Sequence, residues 1–151
     1  MSIKEEVLKD LKEAMKAKNK EKLQVLRSIK SALMEKEIAE RSGGEGKLDE
    51  IQEVEVLQKA AKQRRDSIEQ YEKADRNDLA EVERKELEII DSYLPEMMSE
   101  EEIKEFAADK IEELGAENMA DMGKVMGAVM PDLKGKAEGS LVSKVVQDLL
   151  S

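Results

Sequence analysis

Apolar residues recur along the chain at intervals of three and four, the spacing that gathers side chains on one side of an α-helix. Ile3, Val7, Leu8, Leu11, Ala14 and Met15 keep this rhythm and predict a first helix over 3–17. Asn19 fits the cap of a second helix running to about Arg41. Leu23, Leu26, Ile29, Leu33 and Ile38 form its buried side, with Arg27 and Lys30 reaching out from beside that stripe. Ser42-Gly43-Gly44-Glu45-Gly46 breaks the pattern and predicts a flexible link. A third helix opens at the capping-box spacing of Asp49 and Gln52 and continues to about Ala74, lined by Ile51, Val54, Leu57, Ala61, Ile68 and Tyr71. Asp78 and Glu81 repeat that spacing ahead of a fourth helix reaching about Ser92. Leu79, Val82, Leu87, Ile90 and Tyr93 or Leu94 carry its apolar side, and Pro95 ends it.

The second half keeps the helical period in shorter pieces. Ser99 and Glu102 make a capping box for a helix to Leu114, with Ile103, Phe106, Ala107, Ile111 and Leu114 inward and Gly115 as its terminator. A short helix begins at Asp121, which can cap it. Pro131 bars its continuation and biases Met130 out of the helical region. A final helix over roughly 140–150 turns Leu141, Val142, Val145, Val146 and Leu149 to one wide face. The expected architecture is all-α: an N-terminal antiparallel four-helix domain over 1–94, a junction at 95–98, and a small three-helix tail domain over 99–151. A tail of about 50 residues buries little surface and is marginal by itself.

Composition narrows the chemistry. The chain lacks cysteine and histidine, which removes disulfides, thiol nucleophiles and histidine bases; no metal site, cofactor or catalytic residue is expected. No apolar run is long enough to cross a membrane, and acids stand near the N-terminus where a leader would be apolar or Arg-rich. The reading is a cytoplasmic protein that binds neither membrane nor DNA. The net charge of −10 argues against a simple nucleic-acid coat, yet it is unevenly spread. Residues 100–117 hold two basic and eight acidic side chains, whereas residues 118–151 are neutral, four against four.

Three of those four lysines lie within 124–136, in the stretch on which the functional reading turns. From Asp121 to Gly139 it holds four of the eight glycines and one of the two prolines. At about 100° per residue, Met122, Val125, Met126, Val129 and Met130 share one face, and Gly123, Lys124, Gly127 and Ala128 the other. A helical glycine costs about 1 kcal/mol relative to alanine, so two of them four residues apart need a reason. Either they let a neighbouring helix pack close, or they let an outside partner approach the backbone beside Lys124. Lys134 and Lys136 around Gly135 suit a phosphate backbone. A second basic cluster, Lys59, Lys62, Arg64 and Arg65, sits in the third helix among acids that can answer it along the same face.

Several segments together resemble the GatB/YqeY family: Lys62-Gln63-Arg64-Arg65-Asp66-Ser67-Ile68, Arg76-x-Asp78-Leu79 with Glu83 and Glu86-Leu87, and Tyr93-Leu94-Pro95. The stretch Asp121-Met122-Gly123-Lys124-Val125-Met126-Gly127, followed by Lys134-Gly135-Lys136-Ala137, continues the likeness to the end of the chain. The second half is similar to the C-terminal tail domain of the GatB component of the aspartyl/glutamyl-tRNA amidotransferase, the enzyme that amidates misacylated tRNA with glutamine as nitrogen donor. In that component the tail helps to hold the tRNA, and the chemistry lies in a catalytic domain that this chain lacks. The resemblance thus implies a tRNA-contacting role for Gly123, Lys124, Gly127, Lys134, Gly135 and Lys136. Glu138 stands where the family usually has Asp, and Asp75 where many relatives have Gly.

The leading expectation is a tRNA-interacting accessory factor related to glutamine-dependent tRNA amidation, with amidotransferase or aminoacyl-tRNA synthetase components as further partners. The alternative is a protein-interaction adaptor with no RNA role. A carbon–nitrogen ligase using glutamine ranks below both, since there is no cysteine to attack glutamine, no Gly-rich nucleotide loop and no serine–lysine amidase signature.

Overall fold

The structure is a computed structural model and describes residues 1–40 and 46–151. Among these it is all-α, with no strand. Its helices are α1 (Ile3–Lys16), α2 (Lys20–Ala39), α3 (Glu50–Lys73), α4 (Asn77–Asp91), α5 (Glu100–Leu114), α6 (Met122–Leu133) and α7 (Gly139–Leu150), with a 3₁₀ turn at Met119–Asp121. The link expected at 42–46, apart from Gly46, lies outside the described residues, as does Arg41. The chain forms two compact units, Met1–Pro95 and Glu96–Ser151.

The first unit holds α1 to α4. Helices α1 and α2 run antiparallel: Lys4 near the start of α1 pairs with Glu37 near the end of α2 at 2.7 Å. Likewise Arg64 and Glu72 of α3 meet Glu86 and Arg84 of α4 in reversed order. Val7, Leu11, Leu26, Ile29, Leu33, Leu57 and Ile90 make its aliphatic core. Tyr93 and Leu94 pack against it, and the Tyr93 hydroxyl donates to Asp10 Oδ2 at 2.6 Å. Burial, and then the neighbouring Asp10, push the phenol well above its ordinary range.

Local capping signals are realised where nothing competes. Asn19 accepts from Lys22 N–H, and Asp49–Gln52 closes as a capping box. Asp78 does not cap α4; the helix starts at Asn77, and the Arg76 guanidinium grips the Asp78 carboxylate through two contacts of 3.1 Å. A bidentate, doubly charged contact outcompetes one backbone N–H. Glu81 pairs instead with Arg84.

Four residues expected inside lie outside: Met15, Ile38, Ile51 and Val82 are about half exposed or more, Ile38 at 62%. A step of five residues from Leu33 rotates Ile38 by about 140°, off the buried stripe. Met15 and Ile51 sit in the terminal turns of α1 and α3. Val82 gives way to Glu83 and Glu86, whose half-buried carboxylates turn toward Arg64 on α3. Glu53, unmarked by periodicity, is buried and accepts the Lys4 backbone N–H at 2.8 Å, closing the first turn of α1 from a distant helix.

In the second unit, the Ser99–Glu102 box starts α5 and Gly115 ends it at φ 66°, a left-handed conformation that glycine adopts without strain. Ile103, Ala107, Val125, Val129, Leu133, Val142, Val145 and Val146 form its core. Asp121 does not cap α6: it closes the 3₁₀ turn, and its Oδ2 accepts Glu117 N–H at 2.9 Å. Pro131 does not end α6, which continues to Leu133. Leu133 is buried in the core, and its burial offsets a proline cost of about 3 kcal/mol.

Candidate nucleic-acid interface

α6 presents two unlike faces. Val125, Val129 and Leu133 are buried, with Met122, Met126 and Met130 packed around them. Gly123, Lys124 and Gly127 are exposed on the other side. A Cβ placed on Gly123 or Gly127 meets no atom within 4 Å. No other helix of the second unit therefore uses these glycines for close packing, and within that unit the outer face is bare backbone.

Pro131 adds an acceptor to that face. It has no N–H to give the carbonyl four residues earlier, which is Gly127's. Lys124, Gly127, Ala128 and Pro131 lie within one outer stripe at about 100° per residue. The Gly127 carbonyl therefore lacks its usual helical donor.

Lysines stand at its two ends rather than together. From Lys124 to Lys134 the helical rise is roughly 15 Å. Lys124 Nζ donates to the Leu114 carbonyl at 3.4 Å, at the C-terminal end of α5 where helix carbonyls attract a cation. Beyond α6 the backbone folds tightly. Lys136 and Ala137 N–H both return to the Leu133 carbonyl, Gly135 adopts φ 78°, and the Lys136 carbonyl accepts Met98 N–H at 2.9 Å. Ala137 is buried, so the turn is pinned while Lys134 and Lys136 are exposed. Glu138 makes no side-chain cap to α7 and takes the Ser140 hydroxyl at 2.8 Å. A glutamate reaches past the cap position that a shorter acid fills.

The cluster in α3 is divided. Arg64 points inward, with Nε 3.2 Å from Glu86 Oε2 and Nη2 3.3 Å from Ser28 Oγ, tying α3 to α4 and α2. Lys62 pairs with Asp66 at 3.2 Å, one turn along α3. Lys59 and Arg65 are exposed. Sequence density marked four cations; their partners leave Arg64 structural. The acids beside it, Glu83 and Glu86, share the spacing of Leu79 and Ile90 along α4, the signal by which they can be found in the sequence.

The family model described as Yqey-like protein matches residues 4–150. A protein of Pyrenophora tritici-repentis named altered inheritance of mitochondria protein 41, mitochondrial, is 33% identical over 93% of this chain and 77% of its own length. A relative of the same name from Clavispora lusitaniae is 35% identical over 93% of this chain and 82% of its own. One from Lachancea thermotolerans is 39% identical over 73% of this chain and 58% of its own. These names overturn the cytoplasmic assignment, because the relatives are named as mitochondrial proteins. That assignment rested on the character of the first few residues, and targeting is not a property the folded helices carry. By a match that runs almost end to end, the chain belongs to the YqeY-like protein family.

Proposed function

We propose that this protein is a tRNA-interacting accessory factor related to tRNA-dependent amidation, and that it binds through the outer face of α6. It reads the shape and backbone of a folded RNA rather than a base sequence. Lys124 at one end and Lys134 and Lys136 at the other meet phosphates, and the bare glycine face lets the sugar–phosphate chain lie against the helix. The Gly127 carbonyl accepts from a ribose 2′-hydroxyl, the group that separates RNA from DNA. The observation that carries this reading is the open face of α6, where a Cβ on either glycine would meet nothing.

Three phosphate contacts give a slope of about −2 to −3 in log K against log salt, so binding is weak and salt-sensitive. The test is electrophoretic mobility of total tRNA with the whole chain at low and at physiological salt. The expected result is a shift that weakens with salt and is lost in Lys124→Glu/Lys134→Glu/Lys136→Glu, with helical circular dichroism unchanged. Unaltered binding by that variant removes the interface. No shift at low salt removes direct tRNA binding and leaves a protein partner as the occupant of the glycine face.

Pro131→Ala sharpens the assignment. It restores a donor to the Gly127 carbonyl, so the preference for an RNA hairpin over the matching DNA hairpin should narrow by several-fold, the worth of about one hydrogen bond. An undiminished preference would show that the carbonyl plays no part.

A further inference from the structure

In the first unit, α2, α3 and α4 line an open surface cleft of about 580 Å³. That is the size of a small-molecule site, roughly 300–1,000 Å³. Such sites are mostly apolar, but no aliphatic or aromatic side chain among the described residues lines this one. Gln24, Ser28, Gln63 and Ser67 supply amides and hydroxyls. Glu83, Glu86 and Asp66 supply carboxylates against the single guanidinium of Arg64.

The charges are not balanced. Arg64 is held by Glu86 and Ser28. Asp66 is answered by Lys62 on the same helix. Glu83 is half-buried and makes no hydrogen bond or ion pair among the described residues. It lies one turn before Glu86 on α4, the spacing at which side chains face one another. Burial first, and then repulsion from Glu86, push its carboxyl above the usual range, while Arg64 pulls the other way. Half-buried ionic groups add little stability over well-packed apolar ones. Perturbed carboxylates in a cleft mark candidate binding groups.

Ligand classes can be separated on these grounds. An apolar molecule finds only the aliphatic stems of polar side chains. An anion meets three carboxylates and an arginine already engaged. No group of acids among the described residues is arranged to hold a metal ion. An organic cation answers the unpaired charge, and the amides and hydroxyls can accept its remaining N–H groups.

We propose that this cleft binds a primary alkylammonium group, seated against Glu83 and Glu86 and hydrogen-bonded by the glutamines and serines around it. Two sources present that group, a free linear polyamine and a lysine side chain of another protein. The site is independent of the RNA face on α6.

The test is an amide-resolved NMR titration of the whole chain with spermidine, and separately with Nα-acetyl-lysine methylamide. Saturable shifts are expected at Gln24, Ser28, Gln63, Ser67 and Glu83. Glu83→Gln, which keeps shape and removes charge, should weaken spermidine roughly tenfold, the loss of one charge-assisted contact. Glu101→Gln on α5 removes the same one negative charge and should leave affinity unchanged. Saturable binding of the lysine analogue as well assigns the site to a protein partner; binding of spermidine alone assigns it to a polyamine. Equal weakening by the two variants, shifts spread over the acidic α5, or no binding by either probe would overturn the proposal. Unchanged helical circular dichroism in both variants keeps misfolding from imitating the result.

Discussion

The two basic regions of this molecule show how little the density of positive charge along a sequence says about its availability. In α3 two of the four cations are held by acids: Lys62 by Asp66 on the same helix, Arg64 by Glu86 across the helix pair. Around α6 there are fewer cations, but Lys124 engages a backbone carbonyl rather than a carboxylate, and the surface beside it is bare glycine. A phosphate approaching Lys62 or Arg64 must displace an existing ion pair. One approaching Lys124 displaces a single long hydrogen bond. Within the denser cluster Arg64 ties helices together, whereas the sparser set is the anion surface we propose.

That contrast can be broken most directly by charge reversal on each side. Reversing Lys124, Lys134 and Lys136 should cost on the order of a hundredfold in tRNA affinity. Lys59→Glu/Lys62→Glu/Arg65→Glu should cost under about fivefold, measured at the same salt. Equal losses would put both regions in the interface and end the distinction.

Arg64→Ala should destabilise the first unit by about 2 kcal/mol, because it leaves Glu86 half-buried without its cation. Chemical denaturation followed by circular dichroism reads this directly. A change within about 0.5 kcal/mol would mean that Arg64 is no more structural than its neighbours in α3.

Next in size is Gly127→Ala. The new methyl group meets open space, and alanine is the better helix former, so the second unit should gain up to about 1 kcal/mol. Affinity for tRNA should fall at the same time, because the methyl group stands between the backbone and the ligand. Gain of stability without loss of binding would show that the bare backbone is not the contact surface.

The smallest effect belongs to Glu83. Its carboxyl titrates above the usual range in the folded protein, chiefly through burial, so the folded state holds its proton more tightly than the unfolded one. Ionised Glu83 therefore weakens the fold at neutral pH. This penalty fades as pH falls through the raised value and is gone below the ordinary glutamate value of 4.5. Glu83→Gln should melt slightly higher than the parent at pH 7, and the two should melt together near pH 4. A lower melting temperature at pH 7 would show that Glu83 is stabilising where it stands.

Much of this was legible because it is local. The all-α class follows from apolar spacing, and the boxes at Asp49–Gln52 and Ser99–Glu102 close as read, since each uses atoms one helical turn apart. The family resemblance lay in ordered segments and holds over nearly the whole chain. Misreadings came where a local signal met a competitor. Asp78 had Arg76 beside it, Asp121 was turned back to Glu117, and Ile38 lay one step off its stripe. The cytoplasmic assignment failed for another reason, because cellular address is not a folding property.

The sequence by itself determined the run of helices, which residues make the two faces of α6, and that Pro131 has no donor to give. Each depends on covalent structure and on the repeat of about 3.6 residues per turn. Tertiary structure alone decided that α6 continues through Pro131 to bury Leu133, that Arg64 turns inward to Glu86 and Ser28, and that Glu53 closes the first turn of α1. It also decided that no other helix of the second unit covers the glycines of α6. These outcomes hang on which distant side chains arrive within hydrogen-bond or van der Waals reach, and spacing along one helix carries no information about the neighbour it will meet.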